Sequence, residues 1–261
     1  MRASKSGLIT AAVVAATFVT AAIRVHTRAD RPGLPPPTAA PVRAASTAAP
    51  PPASRAFSDL FGVQAAEASV VTGPGEQTLL WHQQAFTLAG SPAQALFTET
   101  RFAAAAEPPS ISAAAYRLAD GQWKLAGASK DFTRTGPWGK LARPAGPLQV
   151  LQFPSGAVAF LVDEAGGARG YTQAGKGIWA FANGEWRDLG FVQTGGDNSG
   201  ASGAHYRFTG EISMAPGTRT WPDMLVTRRG TIRDEADRVV PATDTRYVFT
   251  GKGYEEVMAR R

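Results

Sequence analysis

Cysteine is absent from the 261 residues. Disulfides, thiolate-bound zinc, iron–sulfur clusters and a cysteine nucleophile are therefore excluded, and any folded domain has to rest on its core. Histidine is nearly as scarce, with three in the chain: His26, His82 and His205. Neither H-E-x-x-H nor G-x-S-x-G occurs, so the sequence offers no zincin site and no nucleophile elbow. Net charge is missing where it would matter most. The formal +6 belongs to residues 1–55, where Arg2, Lys5, Arg24, Arg28, Arg31, Arg43 and Arg55 face Asp30 alone. The remainder balances at 20 basic and 20 acidic side chains. Binding to nucleic acid needs a concentrated positive field, so no nucleic-acid partner is expected.

What the amino end does have is an export signature. Arg2 and Lys5 precede an uncharged apolar run, Leu8–Ile23, shorter than the roughly 20 residues of an ordinary membrane span. Two fates fit residues 1–30: an uncleaved inner-membrane anchor through residues 7–23, or a signal peptide cut near Val19-Thr20-Ala21. Arg24, His26 and Arg28 resist translocation and favour the anchor. Residues 31–55 hold Pro35-Pro36-Pro37 and Pro50-Pro51-Pro52 and read as a semi-rigid Pro/Ala-rich linker. Residues 56–261 are then the globular domain, placed in the periplasm or, after cleavage, secreted.

That domain reads as short apolar-aromatic runs separated by turn signals. Ile178–Leu189 is the clearest: Asn183-Gly184 sits between I-W-A-F-A and E-W-R-D-L, and this dipeptide reaches the positive φ values of a type I′ turn at least cost. Asp120-Gly121 and Pro154-Ser155-Gly156 mark two further hairpins, and Ala89–Pro92 another turn. Large apolar residues stand five apart across four turns: Leu118 and Trp123, Phe153 and Val158, Phe181 and Trp186, Phe249 and Tyr254. The expectation is an all-β fold of antiparallel hairpins in a meander, with a propeller-like arrangement or a β-sandwich as alternatives. One or two helical turns are expected within Ala56–Val71.

The candidate sites are weak one by one. Gly170–Lys176 matches G-x-x-x-x-G-K, but Gly177 replaces the hydroxyl that holds magnesium and a strand follows, so a glycine loop is the expected reading. Gly195-Gly196-Asp197-Asn198-Ser199-Gly200 is oxygen-rich; with one acid it suits an Asx-turn loop better than a calcium site. His205 lies close to it in sequence, and Ser199 or Ser202 with His205 and Asp197 make a triad by sequence proximity alone. Asp163-Glu164 and Asp234-Glu235 with Asp237 could supply the paired acids of a glycosidase, but solvated ion pairing explains them without catalysis and is the favoured reading. Trp81, Trp138, Trp179 and Trp221 are candidates for stacking on a sugar or a partner, whereas Trp123 and Trp186 suit hairpin packing.

Tyr116–Trp123, Gly136-Pro137-Trp138-Gly139, and Trp221–Val226 followed by Tyr247–Tyr254 together resemble exported envelope proteins of Gram-negative bacteria that have no assigned activity. Pro222–Val226 is also similar to the ends of FG-GAP-like propeller repeats. Those repeats take calcium through a preceding acidic loop, and Ala215–Thr220 contains no acid, so the resemblance implies export and a β-rich fold but no calcium. The leading expectation is a non-enzymatic envelope protein that binds a protein or glycan partner without cofactor or metal. Asp197, Asn198, His205, Trp138, Trp179 and Trp221 are its candidate contact residues. A hydrolase of envelope polymers using loop carboxylates is the first alternative, and a calcium-dependent adhesion module the second.

Overall fold

The structure is a computed structural model that describes residues 48–64, 69–103, 107–134, 143–215 and 219–257. The apolar run at Leu8–Ile23 and the candidate Trp138 lie outside these residues. Among the described residues no helix is long and apolar enough to cross a membrane.

The fold is mostly antiparallel β, as the turn chemistry predicts. After one helix, α1 (Ala53–Phe61), a first sheet runs β1 (Ser69–Gly73), β2 (Glu76–Leu88), β3 (Ser91–Phe102), β4 (Ser110–Ala119) and β5 (Gln122–Arg134), each strand beside its sequence neighbour. A second sheet continues with β6 (Gln149–Gln152), β7 (Val158–Ala168), β8 (Tyr171–Ala182), β9 (Glu185–Asp197), β10 (Arg207–Met214) and β11 (Met224–Arg233). It ends with β13 (Thr245–Phe249) and β14 (Tyr254–Val257), while the short β12 (Val239–Pro241) pairs only with β11. These are two continuous meanders, one strand after the next, and not the separate blades of a propeller.

Tight turns set this register. Ala89-Gly90, Asp120-Gly121, Arg169-Gly170 and Asn183-Gly184 all hold positive φ at both positions, the twist-matching geometry of two-residue hairpins. Leu118 faces Trp123, Phe181 faces Trp186 and Phe249 faces Tyr254 directly across their turns. Phe153 and Val158 fall one place out of register, because Gln152 takes Val158 as its partner. The helix starts at Ala53, ahead of the expected Ala56–Val71 window, and its nine residues slightly exceed the one or two turns expected. Gly62 ends it at φ 69°, a left-handed cap that glycine adopts without strain.

An aromatic layer joins the sheets. Trp81 and Phe97 of the first sheet meet Phe160, Trp179 and Trp186 of the second, with Phe97–Trp186 ring centroids 5.1 Å apart and Trp81–Trp179 5.3 Å apart. Such tilted and edge-on pairs add about 0.5–1.5 kcal/mol each beyond burial. The opposite face of the first sheet carries α1, so β4 is buried on both sides from Ser110 to Tyr116. Ala113-Ala114-Ala115, a helix-favouring triplet by composition, is held as strand by this burial on both faces, with Ala113 and Ala115 in one core and Ala114 in the other.

Polar ties fix the sheets' relative position. Arg143 donates to the carbonyls of Leu80 and Trp81 at 2.5 and 2.8 Å, beside the bulge that interrupts β2 between Leu80 and His82. The Leu148 N–H donates to Gln84 Oε1 at 2.7 Å. On the other flank, the Trp186 N–H donates to Ser129 Oγ at 3.2 Å, and the Thr133 hydroxyl donates to Asp188. Gly127 of β5 lies directly on the Asn183-Gly184 turn, since a Cβ at 127 would stand 2.0 Å from the Gly184 carbonyl oxygen.

Beyond β9 the second sheet curls into a half-barrel. β10 pairs with β9 only at Gly195–Asp197, and β14 closes back on the freed stretch of β9. Gly253 makes room there for the Leu189 carbonyl, and the Gln193 N–H donates to the Tyr247 hydroxyl at 3.2 Å. The enclosed core includes Leu161, Ile178, Val192, Trp221, Met224 and Val226.

Replacing Gly127 by Ala is expected to cost about 1–3 kcal/mol, the usual range for overpacking. A denaturation midpoint unchanged from the parent would contradict the direct seating of β5 on the β8–β9 turn.

Candidate functional site

The second sheet reaches beyond the first. Along one face of β8 the side chains run Tyr171, Gln173, Gly175, Gly177, Trp179 and Phe181. The last two are buried in the aromatic layer, whereas Tyr171 is 44% exposed. The G-x-x-x-x-G-K stretch is therefore not a glycine loop: Arg169-Gly170 is a hairpin turn and residues 171–177 are strand. The glycines serve packing. The Phe191 ring crosses Gly175, where a Cβ would come within 2.3 Å of its edge, and a Cβ at Gly177 would lie 2.1 Å from a Glu164 carboxylate oxygen. Side chains at either position would displace the groups now lying over them.

At the exposed tip of β7 and β8 these strands form a groove of about 200 Å3, lined by Gly166, Gly167, Tyr171, Thr172, Gln173, Gln193 and Tyr206. Among the described residues no charged side chain lines it. The Gln193 amide donates to the Gly195 carbonyl at 3.1 Å and the Thr172 hydroxyl to the Asp197 carbonyl at 3.3 Å. The phenol groups of Tyr171 and Tyr206 and the amide of Gln173 have no protein partner among the described residues. Two aromatic faces and several unspent donors and acceptors thus share one concave, uncharged surface.

One wall of the groove is braced by the 198–206 loop, which begins after Gly195-Gly196 because β9 continues to Asp197. Asn198 is fully buried and bolts the loop shut. Its Oδ1 accepts from the Tyr206 N–H at 2.5 Å, its Nδ2 donates to the Ala204 carbonyl at 3.0 Å, and its own N–H donates to the Tyr206 carbonyl at 3.2 Å. Asp197 caps the turn, accepting from the Ser199 N–H at 2.6 Å and facing Arg207 at 3.6 Å. Those Ser199 hydrogen bonds, with Arg207 and His205 adding their charge, hold its carboxyl below the usual range. This is the Asx-turn reading. The loop seats on the β7–β8 turn through glycine, since a Cβ at Gly170 would overlap the Gly200 carbonyl.

The other candidates divide clearly. Exposed His205 places Nδ1 3.2 Å from the Asn198 carbonyl, so its ring outlines the loop. Trp179 and Trp221 are 2% and 8% exposed and belong to the two cores, as does Trp81. They are unsuited to stacking on a ligand because their faces are already covered by Phe97, Phe132 and Phe153. Asp234 and Asp237 pair with Arg238 and Arg233 at 2.6 Å, and Asp163 pairs with Lys176 at 2.5 Å. All three are surface ion pairs.

Glu164 differs. It is half-buried, has no hydrogen-bond partner among the described residues, and lies over Gly177 near Asp188. Burial pushes its carboxyl up to about 7, and the Asp188 charge adds to the rise. Asp188 itself is held by the Thr133 hydroxyl and by the Gly190 N–H at 2.8 Å.

Comparison of the chain with protein-family models, curated proteins and solved structures finds no match.

Glu164 gives the domain a defined pH dependence. A carboxyl whose folded pKa is raised stabilises the fold fully below its unfolded value near 4.5 and loses that contribution as pH rises through about 7. The melting temperature is expected to fall between pH 5 and pH 8, and Glu164→Gln to flatten that slope. An identical slope in the variant would show that Glu164 does not titrate with folding.

Proposed function

We propose that this chain is an exported, non-enzymatic envelope protein whose β-domain binds a glycan in the groove at the β7–β8 tip. The observation that carries the reading is the lining of that groove: Tyr171 and Tyr206 with Thr172, Gln173 and Gln193, over Gly166 and Gly167. Aromatic faces stack on the apolar face of a sugar ring, and amide and hydroxyl groups match its hydroxyls as both donors and acceptors. The missing charge disfavours phosphorylated or acidic ligands. It also leaves the groove without the two carboxylates that glycoside hydrolysis uses, which favours binding over cleavage there.

Size points the same way. About 200 Å3 is below the roughly 300–1,000 Å3 of pockets that engulf a drug-sized ligand. The groove suits a single ring or the end of a chain, and modest affinity. The basic head, apolar Leu8–Ile23 and Pro/Ala-rich linker support display of this face in the periplasm, held off the inner membrane.

Tyr171→Ala is expected to weaken binding of neutral oligosaccharides, measured by calorimetry on the full chain, by about tenfold, the equivalent of roughly 1.4 kcal/mol of lost stacking. Its melting temperature should remain near that of the parent, because Tyr171 lies outside both cores. Equal affinity in parent and variant would remove the groove from consideration.

A further inference from the structure

The Pro/Ala-rich linker does not stop short of the domain. Its last residues cross the outer face of the first sheet before entering α1. The Trp123 indole N–H donates to the Ala49 carbonyl at 2.6 Å, and the Gln83 amide donates to the Pro51 carbonyl at 3.5 Å. Pro51 is buried and Ala48 half-buried, while Ala49, Pro50 and Pro52 are exposed. One residue in three therefore faces the sheet, the period of a polyproline II helix. Pro52 has φ −71° and ψ 157°, within that conformation.

These features are the working parts of polyproline recognition. A polyproline II chain makes no internal hydrogen bonds, so its carbonyls are free to accept from side-chain donors. An aromatic ring that also donates is suited to the task, because one face packs on the pyrrolidine rings while the N–H reads a carbonyl. Trp123 is such a ring: its N–H donates to the Ala49 carbonyl, and it packs against the cluster of Leu96, Tyr116 and α1. The three prolines pre-set φ, so little conformational entropy is lost on docking. α1 then locks the end of the segment, with the Tyr116 hydroxyl donating to Asp59 at 2.7 Å and the Arg55 guanidinium over the Tyr116 ring at 5.1 Å.

We propose that the outer face of the first sheet, centred on Trp123 and Gln83, is a polyproline II reading surface whose resident ligand is the chain's own Ala49–Pro52. The contact is a clasp. It fixes where the linker leaves the domain, and a Pro-rich chain supplied in trans reaches the same donors once the resident segment is weakened.

The test uses the full chain with Pro50→Ser, Pro51→Gly and Pro52→Ser, which weakens the resident ligand, and the Trp123 indole N–H resonance as reporter. In the parent chain that resonance should be exchange-protected and unmoved by an added peptide with the sequence of residues 48–54. In the triple variant it should lose protection at least several-fold, then shift back towards the parent position as the peptide is added. The same peptide with alanine for every proline should leave it unmoved. A folded variant whose indole resonance stays in place, or ignores the peptide, overturns the proposal. If the triple variant fails to fold, Trp123→Phe in the otherwise unchanged chain removes the donor while keeping an aromatic ring. Proteolysis ahead of Ala53 should then accelerate several-fold, and an unchanged rate likewise overturns the proposal.

Discussion

The structure depends on one aromatic layer. Trp81 and Phe97 from the first sheet interlock with Phe160, Trp179 and Trp186 from the second, and almost none of their surface is left to water. Among the described residues, two meanders with no disulfide between them are held in register by this layer, the core around it and a few polar ties. The ties lie at its borders, Arg143 and Gln84 on one flank and Ser129 and Thr133 on the other. Each joins a side chain of one sheet or its approach to a backbone or carboxylate group of its neighbour, so the aromatic packing and the register support each other.

The same layer decides where a ligand has room. β7 and β8 carry buried aromatic residues where the first sheet covers them and glycine, tyrosine and glutamine beyond its edge. The change of composition along one strand face marks the passage from core to groove. Glu164 stands at that boundary, over the gap left by Gly177, which is why its carboxyl is dehydrated without being sealed in. On the far side of the first sheet, α1 and the end of the linker cover the face that the second sheet does not reach. Both faces of β4 are thereby closed, with Ile111, Ala113 and Ala115 in one core and Ala114 and Tyr116 in the other.

Much of the architecture was legible in the sequence, because turn dipeptides and alternating apolar residues report local geometry directly. Asn183-Gly184 and Asp120-Gly121 gave their hairpins, and three of the four five-apart pairs meet across their turns. The site was legible only in outline. Asn198 and Asp197 fall where an Asx-turn loop was expected, but they build the wall of the groove and do not line it. Tyr171 and Gln173 were not legible as site residues because glycine-rich β8 resembles a loop in composition. The available signal was the alternation of Tyr171, Gln173, Gly175 and Gly177 after Arg169-Gly170. Tryptophan misled in the opposite direction: Trp179 and Trp221 are large enough to attract attention as ligand platforms, yet burial is the default for such rings. The reach of the linker onto Trp123 had no sequence signal, since it depends on which sheet face remains uncovered.

We propose the uncharged β7–β8 groove as the place where this domain meets a ligand. Amide chemical-shift mapping of the full chain during titration with a neutral oligosaccharide tests it most directly. The groove reading predicts shifts concentrated at Tyr171, Thr172, Gln173, Gln193 and Tyr206, with the strands of the first sheet unmoved. Saturable binding whose shifts centre anywhere else, or no shifts with any neutral oligosaccharide, would contradict it.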